Sequence, residues 1–236
     1  MNAKGIFIKG LFVAASLLIV LTLTACVASQ VVRSSQPRLT PDASEGEIKA
    51  LVAGNNAFAF DLHQAIRTGE ENLLYSPLSI SQALAMVYAG AREDTARQMA
   101  DTLHFTLPQE RLHAAFNTLD HEVASRARAA VQDESGHTKS DVAFELHAAN
   151  AVWGQKGLPY KPEYLAVLAQ NYGSGVQLAD FKGNPGAAVA EINRWVSQET
   201  EKRIPEIVSS LSPDTGLVLV NAIYFNAKWG PALQGE

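Results

Sequence analysis

The run Leu217–Phe225, LVLVNAIYF, narrows the possible folds of this chain more than any other stretch. The residues before it, Pro213-Asp214-Thr215-Gly216, are turn formers, and the run is short and rich in β-branched and aromatic residues, so it reads as a strand. Its two faces are Leu217, Leu219, Asn221, Ile223, Phe225 and Val218, Val220, Ala222, Tyr224. Neither face is polar, which predicts a strand covered above and below in the middle of a sheet. At the usual rise of about 3.3 Å per residue it spans roughly 30 Å. Asn221 is the one polar side chain inside it, and the sequence ends 11 residues after Phe225.

The 236 residues are enough to bury a sizeable core, and 47% hydrophobic with 18% charged residues marks a folded body. A net charge of −5 gives no basic face for nucleic acid. The first 25 residues carry Lys4 and Lys9, then an uncharged run closing on Leu23-Thr24-Ala25-Cys26. This is the basic, apolar and small-residue order of a signal peptide. The last four residues resemble a bacterial lipobox, which implies cleavage before Cys26 and lipid attachment to its thiol. An uncleaved helix over Leu11–Val32 is the competing reading, because that stretch is uncharged and long enough to span a bilayer. Both readings place the mature part outside the cytoplasmic membrane. Removing residues 1–25 takes two lysine charges from the net charge of −5 and leaves −7. With one cysteine, no internal disulfide forms. Residues 26–43, rich in Ser and Pro over Val27–Ala43, read as a flexible tether.

The body, 44–236, opens with Ser44 and Glu47 at capping-box spacing before the helical pattern Ile48, Leu51, Phe58, Leu62, Ile66. Asn72-Leu73-Leu74-Tyr75 predicts a brief buried strand. Ser76 caps a nearly all-apolar helix, Pro77–Ala89, which Gly90 stops. Thr95 and Gln98 mark the start of another helix, and Pro108 opens an amphipathic one through Val123. After the polar loop 132–141 come a strand at Val142–Trp153, a helix at Lys161–Tyr172, a strand at Val176–Phe181 and a helix at Gly186–Thr200. Helices first, then strands mixed with helices, predict an α+β fold.

The chemistry of an enzyme is not legible. The sequence holds no G-x-S-x-G, Walker, H-E-x-x-H or G-x-G-x-x-G motif. Its six histidines are scattered, and His113 and His121 fall two turns apart on one predicted helix, too far to share a metal. No cofactor, metal site or catalytic residue is expected. Ser76 and Ser79 are better read as a cap and a buried hydroxyl than as nucleophiles, because no general base is identifiable beside them.

Four collinear stretches carry a resemblance. NLLYSPLSISQALAMVYAG at Asn72–Gly90, the segment Phe144–Phe181 with ANAVWGQKGLPYKPEYLAVLAQNYGSGVQLADF, Ile192-Asn193 with Trp195-Val196 and Thr200, and LVNAIYF through Lys228-Trp229 resemble, in order, the helix B, helix E, helix F and third-strand segments of serpins. The resemblance spans Ser44–Gly230. It implies a suicide inhibitor of serine or cysteine proteases, not an enzyme, whose partner is a target protease. A reactive loop is cleaved and inserts as a new strand beside the third strand of the central sheet. It implies a polar "shutter" at Ser76, Ser79 and Asn221, and a "breach" tryptophan at Trp229. Glu201-Lys202-Arg203 departs from the glycine common in the family after the helix F threonine. In the family the reactive-centre loop, its hinge, the fifth strand and the shutter histidine all follow the third strand. A truncated domain without that loop, inactive as it stands, is therefore expected. The alternative is a non-inhibitory surface-binding lipoprotein on the same fold.

Overall fold

The computed structural model describes residues 30–69, 72–129 and 144–227. Helix starts follow local chemistry. Helix α1 (Glu45–Ile66) begins at the capping box: Ser44 Oγ accepts from the Glu47 amide, and the Glu47 carboxylate accepts from the Ser44 amide. Glu47 also holds Arg111 through Nε at 2.5 Å and Nη2 at 2.8 Å, and these bonds pull its carboxyl down to about 2. Helix α2 (Pro77–Tyr88) starts on Ser76, whose hydroxyl accepts from the Ser79 amide at 3.3 Å. Helix α3 (Glu93–Leu103) starts two residues before Thr95, after Arg92 and without a side-chain cap. The capping-box spacing of Thr95 and Gln98 was therefore fortuitous; Glu93 and Asp94 instead place negative charge at the positive end of the helix. Helix α4 (Gln109–Ala129) follows Pro108, and α1 to α4 enclose one core around Leu51, Phe58, Ala85, Leu112 and Phe116.

The remaining elements build a four-stranded sheet. Strand β1 (Gln30–Val32) comes first in the chain, β2 (Phe144–Gln155) follows α4, and helix α5 (Pro162–Tyr172) crosses over to β3 (Val176–Ala179). Helix α6 (Pro185–Glu199), capped by the Asn184 side chain on the Ala187 amide, leads to β4 (Leu217–Ala227). The order is β1-β3-β2-β4, with β2 and β3 parallel and the other two pairs antiparallel. The parallel pair is joined by the helical crossover such a pair requires.

The middle of β4 is covered on both faces, but the cover predicted for the whole run fails at its ends, where Leu217 is 43% and Phe225 64% exposed. Val220 and Ala222 pack with Trp153, Ile192 and Val196 on the α6 side, while Leu219 faces Met86, Leu165 and Leu168 on the α2 and α5 side. Its place in the sheet differs from expectation. Among the described residues β4 pairs only with β2, from Leu217↔Gly154 to Ala227↔Phe144, and ends the sheet instead of lying within it. Side chains signal burial of faces; the pairing of an edge is made by backbone groups that every residue carries.

Two further expectations fail. Residues 72–75 form no strand, and Leu74 is 96% exposed. Among the described residues no strand lies beside this segment, and a lone apolar tetrapeptide does not hold strand geometry unaided. Nor is the tether loose over 30–43: β1 extends the sheet beyond β3, and Leu39 donates its N–H to Gln170 O at 2.8 Å. Arg38 lies over α4, with Nε on Asn117 Oδ1 at 2.8 Å and Nη2 on Asp120 Oδ2 at 2.6 Å. Composition flagged flexibility, but specific hydrogen bonds decide this segment.

Candidate functional site

Asn221 sits on an otherwise apolar strand face, and an unpaired amide there would cost about 1–3 kcal/mol. Its partners are one on the neighbouring strand and one on the helix packed over that face. Directly opposite in the β2–β4 register stands Asn150, whose Oδ1 accepts from Asn221 Nδ2 at 2.6 Å. Above it lies α2, where Ser79 Oγ accepts from the same Nδ2 at 2.5 Å. Asn150 Nδ2 makes a longer contact of 3.5 Å to Gln82 Oε1, one turn beyond Ser79 on α2. The amide pair thus ties two strands to each other and to the helix that crosses them.

The first turn of α2 fixes the serine. Ser76 supplies the cap and Pro77 presets the first helical φ, which places Ser79 facing the sheet at 2% exposure. Ser76 itself stops at the cap; its hydroxyl bonds the Ser79 amide and not Asn221. Of the three shutter-like residues, Asn221 and Ser79 are in direct contact and Ser76 supports Ser79. Trp229 and Cys26 lie outside the described residues. Asn150 and Gln82 escaped the sequence reading. The one signal for Asn150 was a lone amide on an apolar face of β2, matching Asn221 on the apolar face of β4.

On the other side of the sheet, Asn193 of α6 holds the 204–208 connection, accepting from the Ile207 and Val208 amides at 2.9 and 3.1 Å and donating to Val208 O at 2.8 Å. Thr200 Oγ1 accepts from the Ile204 amide at 3.2 Å. Glu201 and Lys202, where the sequence departs from the glycine pattern, adopt φ of 49° and 63°, the region glycine occupies without strain.

The family model for Serpin (serine protease inhibitor) matches residues 53–234. The chain belongs to the serpin family. An uncharacterised serpin-like protein of Thermococcus kodakarensis is 38% identical over 185 residues, 78% of this chain and 40% of that protein. Leukocyte elastase inhibitor of Xenopus laevis is 38% identical over 184 residues, 76% of this chain and 45% of that protein. The crystal structure of the thermophilic serpin tengpin in its native state superposes with a TM-score of 0.66 at 26% identity, covering 85% of this chain and 48% of that one. The chain therefore spans somewhat under half the length of these serpins. Its helices and mixed sheet make up that part of the serpin fold.

Proposed function

We propose that the protein inhibits a serine or cysteine endopeptidase by loop insertion, with the outer edge of β4 as the edge that receives the loop. One observation carries this reading: the Asn221 latch ties β4 to β2 and α2, while among the described residues β4 has a strand on one side only. Serpin relatives named for elastase inhibition support the target class. The protein acts as a pseudo-substrate. The protease nucleophile attacks the scissile carbonyl of the reactive loop, the amine half departs, and the acyl-enzyme persists because insertion beside β4 drags the acyl-linked protease along and distorts its active site before water cleaves the acyl bond. Insertion requires α2 and the sheet to shift relative to one another, so the Ser79–Asn221–Asn150 contacts set part of the barrier.

On this reading the reactive loop follows the strand corresponding to β4, outside the 236 residues, and the inhibitory form is a longer polypeptide. Cleavage before Cys26 and acylation of its thiol hold the protein on the outer face of a membrane. The test incubates a panel of serine and cysteine endopeptidases with the 236-residue chain and with the product extended through the DNA downstream of Glu236. The expected result is an SDS-stable protease complex from the extended product alone. Cleavage of that product by every protease without a stable complex would sink the inhibitor reading. For the anchor, fatty-acid labelling that persists in Cys26→Ala would refute acylation at that residue.

A further inference from the structure

Only three residues separate Cys26 from Gln30, the first residue of β1. Even a fully extended chain then keeps the two within about 14 Å of each other. Gln30 pairs with Leu178 of β3, Leu178 with Gly154 of β2, and Gly154 with Leu217 of β4. These four residues form one row across an end of the sheet. At about 4.8 Å per strand, Gly154 lies about 10 Å and Leu217 about 14 Å from Gln30. From that row the chain runs away: β1 leaves it toward Val32, and Leu39 bonds Gln170 near the opposite end of α5. With residues 30–43 strapped down, the body has little slack relative to Cys26.

Two apolar exposures mark the same end, Leu158 at 50% and Leu217 at 43%. Leu158 belongs to the loop Lys156-Gly157-Leu158-Pro159-Tyr160-Lys161 that follows β2. Its N–H donates to Gln155 O at 3.3 Å, closing a tight turn in which Gly157 takes the positive φ of 86° that the third position requires. Tyr160 folds back across Gly154, its hydroxyl donating to Gln155 O at 3.2 Å, where a Cβ on Gly154 would strike it. Leu158 and Pro159 are left as an exposed tip between two exposed lysines. A tip held this way loses little freedom when it is covered. Charge does not choose the partner. Lys156, Lys161 and Lys182 share this end with Asp180, Glu163 and Asp214, and Glu191 beside Gln30 pairs with Arg194 at 3.8 Å. Asp180 itself accepts from the Gly183 amide at 2.8 Å and lies beside Lys156.

We propose that this end of the sheet rests on the bilayer that holds Cys26, with the Leu158-Pro159 tip in the interface and Lys156 and Lys161 at the level of the lipid phosphates. The inference rests on acylation of Cys26. The anchor keeps the tip within reach of lipid, so a contact too weak to recruit free protein is filled by effective concentration. Phe225 lies eight residues along β4 from Leu217, about 26 Å at strand rise, so the far part of the β4 edge stays clear of the lipid.

The test couples the mature chain, residues 26–236, through its one thiol to a maleimide lipid in phosphatidylcholine vesicles with brominated acyl chains. Chemical coupling makes the outcome independent of whether a cell acylates Cys26, which the fatty-acid labelling decides separately. Amine-reactive labelling read by mass spectrometry should find Lys156 at least several-fold slower on the vesicles than in free solution. Lys49 on α1, 75% exposed, should react at an unchanged rate. In Leu158→Trp the added indole emission should shift to the blue and be quenched by the bromines. In Phe225→Trp, at the other end of β4, it should not. Unchanged labelling of Lys156 on coupling, or equal quenching at positions 158 and 225, overturns the proposal. Should Leu158→Trp fail to fold, the lysine measurement on the unaltered chain decides alone.

Discussion

Replacing Asn221 by alanine removes two hydrogen bonds together. Ser79 Oγ, at 2% exposure, loses the donor at 2.5 Å, and Asn150 Oδ1 loses the donor at 2.6 Å. Two net bonds at about 1 kcal/mol each, plus desolvation of a serine oxygen left without that donor, give a loss of about 3 kcal/mol. In a chain of this size that corresponds to a fall in Tm of roughly 6–12 °C. Ser79→Ala leaves the Asn221–Asn150 bond intact and should cost about 1–2 kcal/mol. Because the two changes share one bond, the double variant should be less destabilised than their sum by about 1 kcal/mol. Urea unfolding followed by tryptophan fluorescence reads all three, since Trp153 is fully buried and meets Trp195 edge-on with centroids 6.3 Å apart. Additivity within about 0.3 kcal/mol would show that the latch is not an energetic unit and would refute the reasoning.

Stability should fall with acidity through His113. Its pKa is about 4 when folded against 6.5 ordinarily, so the unfolded chain binds the proton more readily. The contribution is intact above pH 6.5 and is lost between pH 6.5 and about 4, roughly 3 kcal/mol in all. A urea midpoint that declines as steeply in His113→Phe would contradict this. Arg38→Ala removes the contacts to Asn117 and Asp120, and limited proteolysis should then cut residues 30–43 at least several-fold faster; unchanged cleavage would show that β1 alone holds the segment. Gly54→Ala sets a methyl group against the His104 backbone carbonyl where α1 meets the end of α3, and should destabilise by about 1–3 kcal/mol in the same urea assay.

Local chemistry was legible in the sequence. The caps at Ser44 and Ser76 and the amphipathic stripes of the helices follow from short-range spacing and hold in the structure, and the two apolar faces of Leu217–Phe225 are buried at the middle of the strand though not at Leu217 and Phe225. Thr95 shows the limit of such patterns, because spacing identical to a capping box carries no information about which residue leaves the helix first. The candidate site was half legible: a lone polar residue on an apolar strand announces that it needs a partner. It does not name Asn150 and Ser79, which lie 71 and 142 residues away and meet Asn221 only through register and helix packing.

The sequence alone determined which segments become helices and which faces of β4 go inside, because hydrophobic periodicity and terminal hydrogen bonding act within a few residues. Only the tertiary structure decided that β4 ends the described sheet, that residues 30–43 are strapped down, and that one asparagine nitrogen bonds both a strand and a helix. Those outcomes rest on backbone edges and single side-chain contacts across the chain. Such contacts form only after elements distant in sequence have been brought into register.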